Sequence, residues 1–378
     1  MKGKREDLFP SLAYAAAALA VVLPLGLKLA SGQLHPAYVW AWSLFAAGVA
    51  FAIAYTRDIA PWRRLFFIAS AFAFLVHFKF SLFSKVFEAQ CFQDTPYCHI
   101  ALAPSFLNYL YQQYLALMSG DWKVWGPLSL GFVWLFATVI VGRAWCSWTC
   151  FYGGLDEFFS LLSPVKKLPA AVKTWAGRLR DFPMALLIFF MLISLAYMTP
   201  MFCYWLCPFK MGGEFLNEDA RRSFQLGLMW LALAFVVLLP LLTARRSFCS
   251  FLCPFGAWQS FWGRINPFRV KFDEAVCASC GLCEDACPMF AIKKGGDGKM
   301  EILDYCNMCA SCFSACPKGG IGYYIFGVRA ADPRSGWGRL LSPGSLFIFS
   351  VLTFSAVFAS LWAPAALSDL VRAARGFF

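Results

Sequence analysis

Apolar residues run through this chain in long stretches, at 11–27, 38–55, 65–83, 127–142, 182–201, 224–243 and 346–363. Each is close to the roughly 20 residues that a helix needs to cross a hydrocarbon layer about 30 Å thick. Basic residues punctuate them. Lys2, Lys4 and Arg5 precede the first stretch, Arg57, Arg63 and Arg64 form a basic loop after the second, and Lys166, Lys167, Lys173, Arg178 and Arg180 follow the fourth. Excess Lys and Arg mark cytoplasmic loops, so the pattern predicts about seven membrane helices with the last end outside. Arg372 and Arg375 weigh against that last placement. The first stretch has no small-residue cleavage site and runs straight into Lys28, so it reads as a span rather than a signal peptide.

The period changes in two places. Residues 106–118, inside a long outer segment at 84–126, read as an amphipathic helix. Between the sixth and seventh stretches, residues 268–272 and 321–326 alternate as short strands, and 291–302 reads as a hairpin around Gly295-Gly296-Asp297-Gly298. A compact α+β module over about 266–326 follows, on the cytoplasmic side.

Composition agrees with a multi-span membrane protein: of 378 residues, 60% are hydrophobic and only 14% charged, and mean hydropathy is +0.61. The net charge of +12 suggests nucleic acid at first sight. Its basic residues flank the apolar spans, however, so topology explains them and no nucleic-acid partner is expected.

The 16 cysteines carry the chemistry. Eight form two runs, Cys277-x2-Cys280-x2-Cys283-x3-Cys287-Pro288 and Cys306-x2-Cys309-x2-Cys312-x3-Cys316-Pro317. This is the bacterial two-cluster ferredoxin spacing, in which the fourth cysteine of each run ligates the other cluster. One [4Fe–4S] cluster is therefore expected on Cys277, Cys280, Cys283 and Cys316, and a second on Cys306, Cys309, Cys312 and Cys287. Zinc is the competing reading, but it favours paired knuckles over three close ligands and a remote fourth.

The ends of the fourth and sixth spans match position for position: Arg143-x2-Cys146-Ser-x2-Cys150-x2-Gly153 and Arg246-x2-Cys249-Ser-x2-Cys253-x2-Gly256. The match predicts a parallel duplication of a two-helix Cys-x3-Cys unit. A helical i, i+4 spacing would put both thiols of a pair on one face. Cys146, Cys150, Cys249 and Cys253 are thus a candidate third metal or cluster site at the inner membrane surface, with redox-active thiols or simple burial as alternatives. Cys91, Cys98, Cys203 and Cys207 fall on the outer side, where disulfides are the plain expectation and a further metal or cluster site the sharper one. His77 lies inside the third span and is a candidate quinone or haem contact, against internal pairing. Lys79 nearby reads as a snorkelling side chain. With only His35, His77 and His99 in the chain, a bis-histidine haem is not expected.

Two membrane hairpins ending in Cys-x3-Cys motifs, followed by two ferredoxin runs, resemble the membrane polyferredoxin family of NapH-, NosR- and CcoG-type proteins, over about 65–326. The resemblance implies electron transfer at the cytoplasmic membrane, often involving quinol, and copper reduction in CcoG-type members. Phe151 stands where the family motif has proline, Cys203-x3-Cys207-Pro208 is an extra motif, and Cys91 and Cys98 are also additional. Neither the outer flavin-binding domain of NosR-type proteins nor the terminal sandwich domain of CcoG-type ones is seen, so the subfamily stays open.

The sequence thus predicts an α-helical integral membrane protein with an inserted two-cluster ferredoxin domain. Its parts are an N-terminal hairpin at 1–64, a duplicated redox core at 65–263, the ferredoxin domain at 264–328, and a linker with a last span at 329–378. The expected function is transfer of electrons between a cytoplasmic or quinol-pool donor and an acceptor at or across the membrane. No acid–base pair, phosphate loop or nucleophile supports other catalysis. The cofactors expected are two [4Fe–4S] clusters, with further iron–sulfur or metal at the Cys-x3-Cys motifs and a quinone as candidates. Partners would be a soluble ferredoxin or flavodoxin, drawn by the basic face, or a periplasmic acceptor. A metal reductase or assembly factor, and a membrane redox sensor, are the alternative classes.

Overall fold

The computed structural model of the chain describes residues 8–30, 34–85, 99–120, 125–165, 170–206, 233–329 and 342–376, with isolated positions at 227, 230, 231 and 338. The main helices are α1 (Leu8–Leu29), α2 (Pro36–Thr56), α3 (Ile59–Lys85), α4 (Trp125–Val141), α5 (Phe151–Leu161), α6 (Phe182–Tyr197) and α7 (Pro254–Trp262). Then come β1 (Phe268–Phe272), α8 (Leu282–Ala286), β2 (Ile292–Lys294), β3 (Met300–Ile302), α9 (Ser311–Ala315), β4 (Ile321–Ile325), β5 (Val328–Arg329), α10 (Pro343–Ala359) and α11 (Ala363–Gly376). The chain divides into two compact units: Met1–Ser81 with Ala144–Phe158 and Pro267–Phe378, and Leu82–Arg143 with Phe159–Asn266.

Among the described residues, four helical stretches are long and apolar enough to cross a membrane: Leu8–Leu29, Pro36–Thr56, Ile59–His77 and Trp175–Tyr197. They are consistent with a membrane protein. The expected last span at 346–363 is instead the pair α10 and α11, bent by 47°. Pro364 is the physical reason: it cannot donate to the carbonyl of Ser360 and its ring clashes with it, so the helix restarts there. At the expected fourth span the chain forms α4, 17 residues long and not among those four. Of the expected sixth, Ala234–Thr243 forms a shorter apolar helix, opening with a π-turn at Ala234–Leu238 just ahead of Pro240.

In the first unit, Pro36 at the first turn and His35 Nδ1 accepting from the Ala37 amide start α2, and Arg57 in the left-handed region ends it. Helix α3 begins at Ile59, six residues before the expected span. It draws Arg63 and Arg64 out of the basic loop predicted for them and into a helix. Hydropathy stops at a charge, but here a carboxylate answers it: Arg63, with none of its surface exposed, pairs with the buried Glu157 of α5. Helix α5 approaches α3 closely because Gly154 has no side chain; a Cβ there would sit 2.4 Å from Ala71 Cβ. Further along, Phe74 stacks on Phe151 with centroids 3.7 Å apart.

The α+β module closes by pairing its first strand with its fourth, to whose other edge β5 adds. β1 lies antiparallel to β4, Phe268 opposite Ile325 and Phe272 opposite Ile321. β2 and β3 form the expected hairpin, with Ile292 opposite Ile302 and Gly298 at φ 81° in its turn. Phe347 of α10 covers the β1–β4 sheet, 4.5 Å from the Phe268 ring and 5.2 Å from Tyr323.

In the second unit, Trp134 of α4 clusters with Phe106 and Trp258, at 6.2 and 5.7 Å, and those two rings are 5.1 Å apart. Arg143 donates to the Gly256 carbonyl at 2.7 Å, and Asn266 to the Ile140 carbonyl at 3.0 Å. These bonds tie the end of α4 to the first turn of α7 and to the segment that follows it.

Candidate metal centres

The two cysteine runs fold alike although their intervening residues differ. Ser279 and Gly281 in the first run have φ of 51° and 81°; Met308 and Ala310 in the second have 53° and 60°. Left-handed backbone is strained for residues other than glycine, so the ligand loop demands this shape whatever the side chain. Alternating handedness turns amide N–H groups into a concavity that suits an anion such as an iron–sulfur centre. Each run then enters a short helix, α8 or α9, and leaves it at Cys287 or Cys316 in extended backbone, with ψ of 115° and 107°. The prolines that follow impose that conformation.

The runs bring their thiols into two groups. Cys277, Cys280, Cys283 and Cys316 line a cavity of about 160 Å³, together with Phe272, Leu282, Met300 and Ile321. Burial pushes the Cys283 thiol up to about 11, with the neighbouring Cys277 and Cys280 adding to the effect and backbone N–H groups opposing it. Burial also pushes the Cys312 thiol well above its usual value, and the thiols that add to it are Cys306, Cys309, Cys287 and Cys283. Thiols so raised stay protonated unless a metal displaces the proton. Among the described residues no three Cys, His, Asp or Glu side chains converge on one point for a single ion. A cavity of that volume, lined by four thiols and apolar side chains, fits a four-iron cube rather than a single tetrahedral zinc, whose Zn–S bonds are about 2.3 Å.

The groups differ in exposure. Cys280 is exposed and Cys277 and Cys316 half-buried, whereas Cys309, Cys312 and Cys287 are buried. The second group also has more bonds to it. Cys287 Sγ accepts from the Ala291 amide at 3.3 Å, and Ser311 Oγ lies 3.4 Å from Cys309 Sγ. Tyr323, buried and pushed well above its usual range by that burial, donates to the Met308 carbonyl at 3.0 Å.

This second loop meets the first Cys-x3-Cys motif. Ser147 Oγ donates to the Asn307 carbonyl at 2.6 Å, and the Ser147 carbonyl accepts from Arg63 Nη1 at 2.7 Å. Arg64 donates to Ser311 Oγ at 3.2 Å and to Glu157 at the same distance. The sequence marks Arg63 and Arg64 only as topology charges and gives Glu157 and Ser311 no role. The available signal was an Asp156-Glu157 pair inside an apolar stretch. Phe151 stacks on Phe74, eleven residues beyond Arg63, or ~16 Å along a helix.

Both Cys-x3-Cys pairs are buried, and neither lies on one continuous helix as the i, i+4 reading expected. Cys146 sits in the short helix Trp145–Trp148 and Cys249 in Ser247–Phe251. Each helix ends before the second cysteine, whose amide bonds five residues back: Cys150 to Trp145 O at 3.0 Å, Cys253 to Phe248 O at 3.1 Å. Pro254 forces Cys253 into extended backbone, and the first motif follows the same path with Phe151 in place of proline. Arg246 Nη2 lies 3.3 Å from Cys249 Sγ. Cys146 and Cys150 belong to the first unit, Cys249 and Cys253 to the second.

Cys91, Cys98 and Cys207 lie outside the described residues, and Cys203 is described only as backbone in Met201–Trp205. His77 Nδ1 lies 3.2 Å from Asp369 of α11, which also accepts from Arg372 at 2.7 Å. This is the internal pairing weighed against a ligand role.

The family description "4Fe-4S binding domain" matches at residues 124–169, 182–225 and 226–273. Each segment contains one Cys-x3-Cys motif. A second description of the same wording matches at 270–293. An uncharacterized protein of Methanocaldococcus jannaschii is 31% identical over 191 residues, 50% of this chain and 66% of its own length. An Escherichia coli K12 protein, YccM, whose name assigns it provisionally to electron transport, is 26% identical over 245 residues, 62% of this chain and 66% of its own. The chain thus spans just under two thirds of the length of these relatives. A ferredoxin of Pyrobaculum islandicum is 33% identical over 79 residues, 20% of this chain and 74% of its own. No solved structure matches. The chain belongs to the iron–sulfur electron-transfer family whose members carry 4Fe-4S binding domains.

Proposed function

We propose that this protein is a membrane-integral carrier of single electrons, working between a donor in the cytoplasm or the quinol pool and an acceptor at or across the cytoplasmic membrane. The carrying observation is the join between chemistry and membrane segment: the Cys306–Cys312 loop is bonded, through Asn307 and Ser311, to Ser147 and Arg64. Cys277, Cys280, Cys283 and Cys316 would hold one [4Fe–4S] cluster, and Cys306, Cys309, Cys312 and Cys287 the other. Such clusters supply one-electron redox chemistry over a wide span of potentials. The residues around them do the rest. Left-handed loops present amides, prolines turn the fourth cysteine across, and α10 seals the sheet.

The finer reading is a seven-span, internally duplicated member of the polyferredoxin type, with its ferredoxin module in the cytoplasm. Each Cys-x3-Cys pair is a further candidate for iron or thiol redox chemistry, since a 4Fe-4S description matches over each. The donor we favour on the cytoplasmic side is a small acidic redox protein, because the chain carries a net charge of +12.

Iron and sulfide analysis with EPR on anaerobically purified protein tests this. About eight irons per chain fit two four-iron clusters, and clearly more would assign iron to the Cys-x3-Cys pairs. Absence of any four-iron signal overturns the proposal. Affinity for the acidic donor should fall as salt rises; a salt-independent affinity would remove that partner.

A further inference from the structure

The two cysteine runs superimpose residue for residue in sequence, which makes their differences readable. Where the second run has Ser311, between Cys309 and Cys312, the first has Leu282, between Cys280 and Cys283. Leu282 is exposed and offers no donor. Ser311 is buried, with its Oγ 3.4 Å from Cys309 Sγ and 3.2 Å from Arg64 Nη2. Arg64 is held in turn by Glu157, which the buried Arg63 fixes. Beyond that position the first run continues with Glu284 and Asp285, the second with Phe313 and Ser314.

We propose that Ser311, oriented by Arg64, is a positioning residue that raises the reduction potential of the second centre. This makes the centre against the membrane segment the electron acceptor of the ferredoxin module. The inference rests on the cluster assignment under Proposed function.

The physical argument is short. A ligating cysteine is a thiolate and can only accept hydrogen bonds. Arg64 can only donate, so its N–H fills an Oγ lone pair and the single hydroxyl proton is left to point at Cys309 Sγ. Adding one electron to a centre adds negative charge on its sulfurs. A donated proton and a nearby guanidinium favour that more negative state, and so raise the potential. Greater burial of the second group works the other way, because added charge is harder to hold away from water. The relay offsets that penalty where the first group, beside Glu284 and Asp285, has no such aid. One electron then passes from the more exposed centre to the more buried one, with no bond made or broken.

The test is an EPR-monitored redox titration of the full-length protein in detergent. Cys280→Ser and Cys309→Ser identify which signal belongs to which centre. Ser311→Ala and Arg64→Gln should each shift the second midpoint downward and leave the first in place. Ser311→Thr, which keeps the hydroxyl, should retain the wild-type midpoint. Leu282→Ser should move the first midpoint upward. Unchanged midpoints in Ser311→Ala, or a shift confined to the first centre, would overturn the inference while leaving the two-cluster reading intact. Lack of four-iron signals in the wild-type protein would instead remove the reading beneath it.

Discussion

Arg63 and Glu157 show how a charge is tolerated deep in an apolar unit. The guanidinium is wholly buried, bonded to both carboxylate oxygens and to the Ser147 carbonyl, and lies 5.7 Å from the Phe67 ring. Removing one partner of a buried pair typically costs about 3–5 kcal/mol, because the other charge is left uncompensated. Glu157→Gln should therefore lower thermal stability by roughly that amount, while Arg178→Gln, outside this network, should leave it within about 0.5 kcal/mol. A melting curve in detergent reads both. Ala310 offers the opposite case. Its φ of 60° is one that glycine adopts without strain, and Gly281 fills the same place in the first run. Ala310→Gly should stabilise the apo module by about 1 kcal/mol, read as a higher denaturation midpoint.

At the scale of elements, the contact of α5 with α3 is set by one missing side chain. A Cβ on Gly154 would meet both Ala71 Cβ at 2.4 Å and the Phe67 carbonyl at 2.9 Å, neither of which can swing aside. Gly154→Ala should cost ~1–3 kcal/mol, the usual penalty of overpacking, and Gly154→Leu should abolish stable expression. The bend between α10 and α11 is equally local. It places Asp369 beside His77 and brings Trp362 Nε1 to the Ser70 carbonyl at 3.1 Å. Asp369→Asn should loosen α11 selectively, seen as faster amide exchange in that helix with the module unaffected.

At the scale of the whole chain, the ferredoxin module is not a free appendage. Its strands contact α10 and its second loop contacts Ser147 and Arg64, so it belongs to the same compact unit as α1, α2 and α3. Carbonate-washed membranes should retain the full-length chain. A membrane-impermeant thiol reagent applied to apo protein should label Cys280 first, since it is the exposed thiol of the runs, and only from the cytoplasmic face. Labelling from the opposite face would reverse the proposed topology.

What the sequence determined by itself was local or periodic. The two cysteine runs follow from spacing, because ligand geometry is written in a few consecutive residues. Four helices long and apolar enough to cross a membrane follow from length and apolarity, because lipid demands both. The strands at 268–272 and 321–325 and the glycine hairpin between the runs follow from alternation and turn chemistry. Tertiary structure alone decided the rest. Arg63 and Arg64 look like loop charges until Glu157, 94 residues away from Arg63, arrives to pair with them. The Cys-x3-Cys pairs look helical until the amide of the second cysteine closes five residues back. Ser311 and Leu282 look interchangeable until Arg64 is seen beside only one of them. For the two arginines and for Ser311 the deciding partner is distant in the chain, so no local pattern could carry it; for the cysteine pairs it is a backbone closure that spacing alone does not reveal.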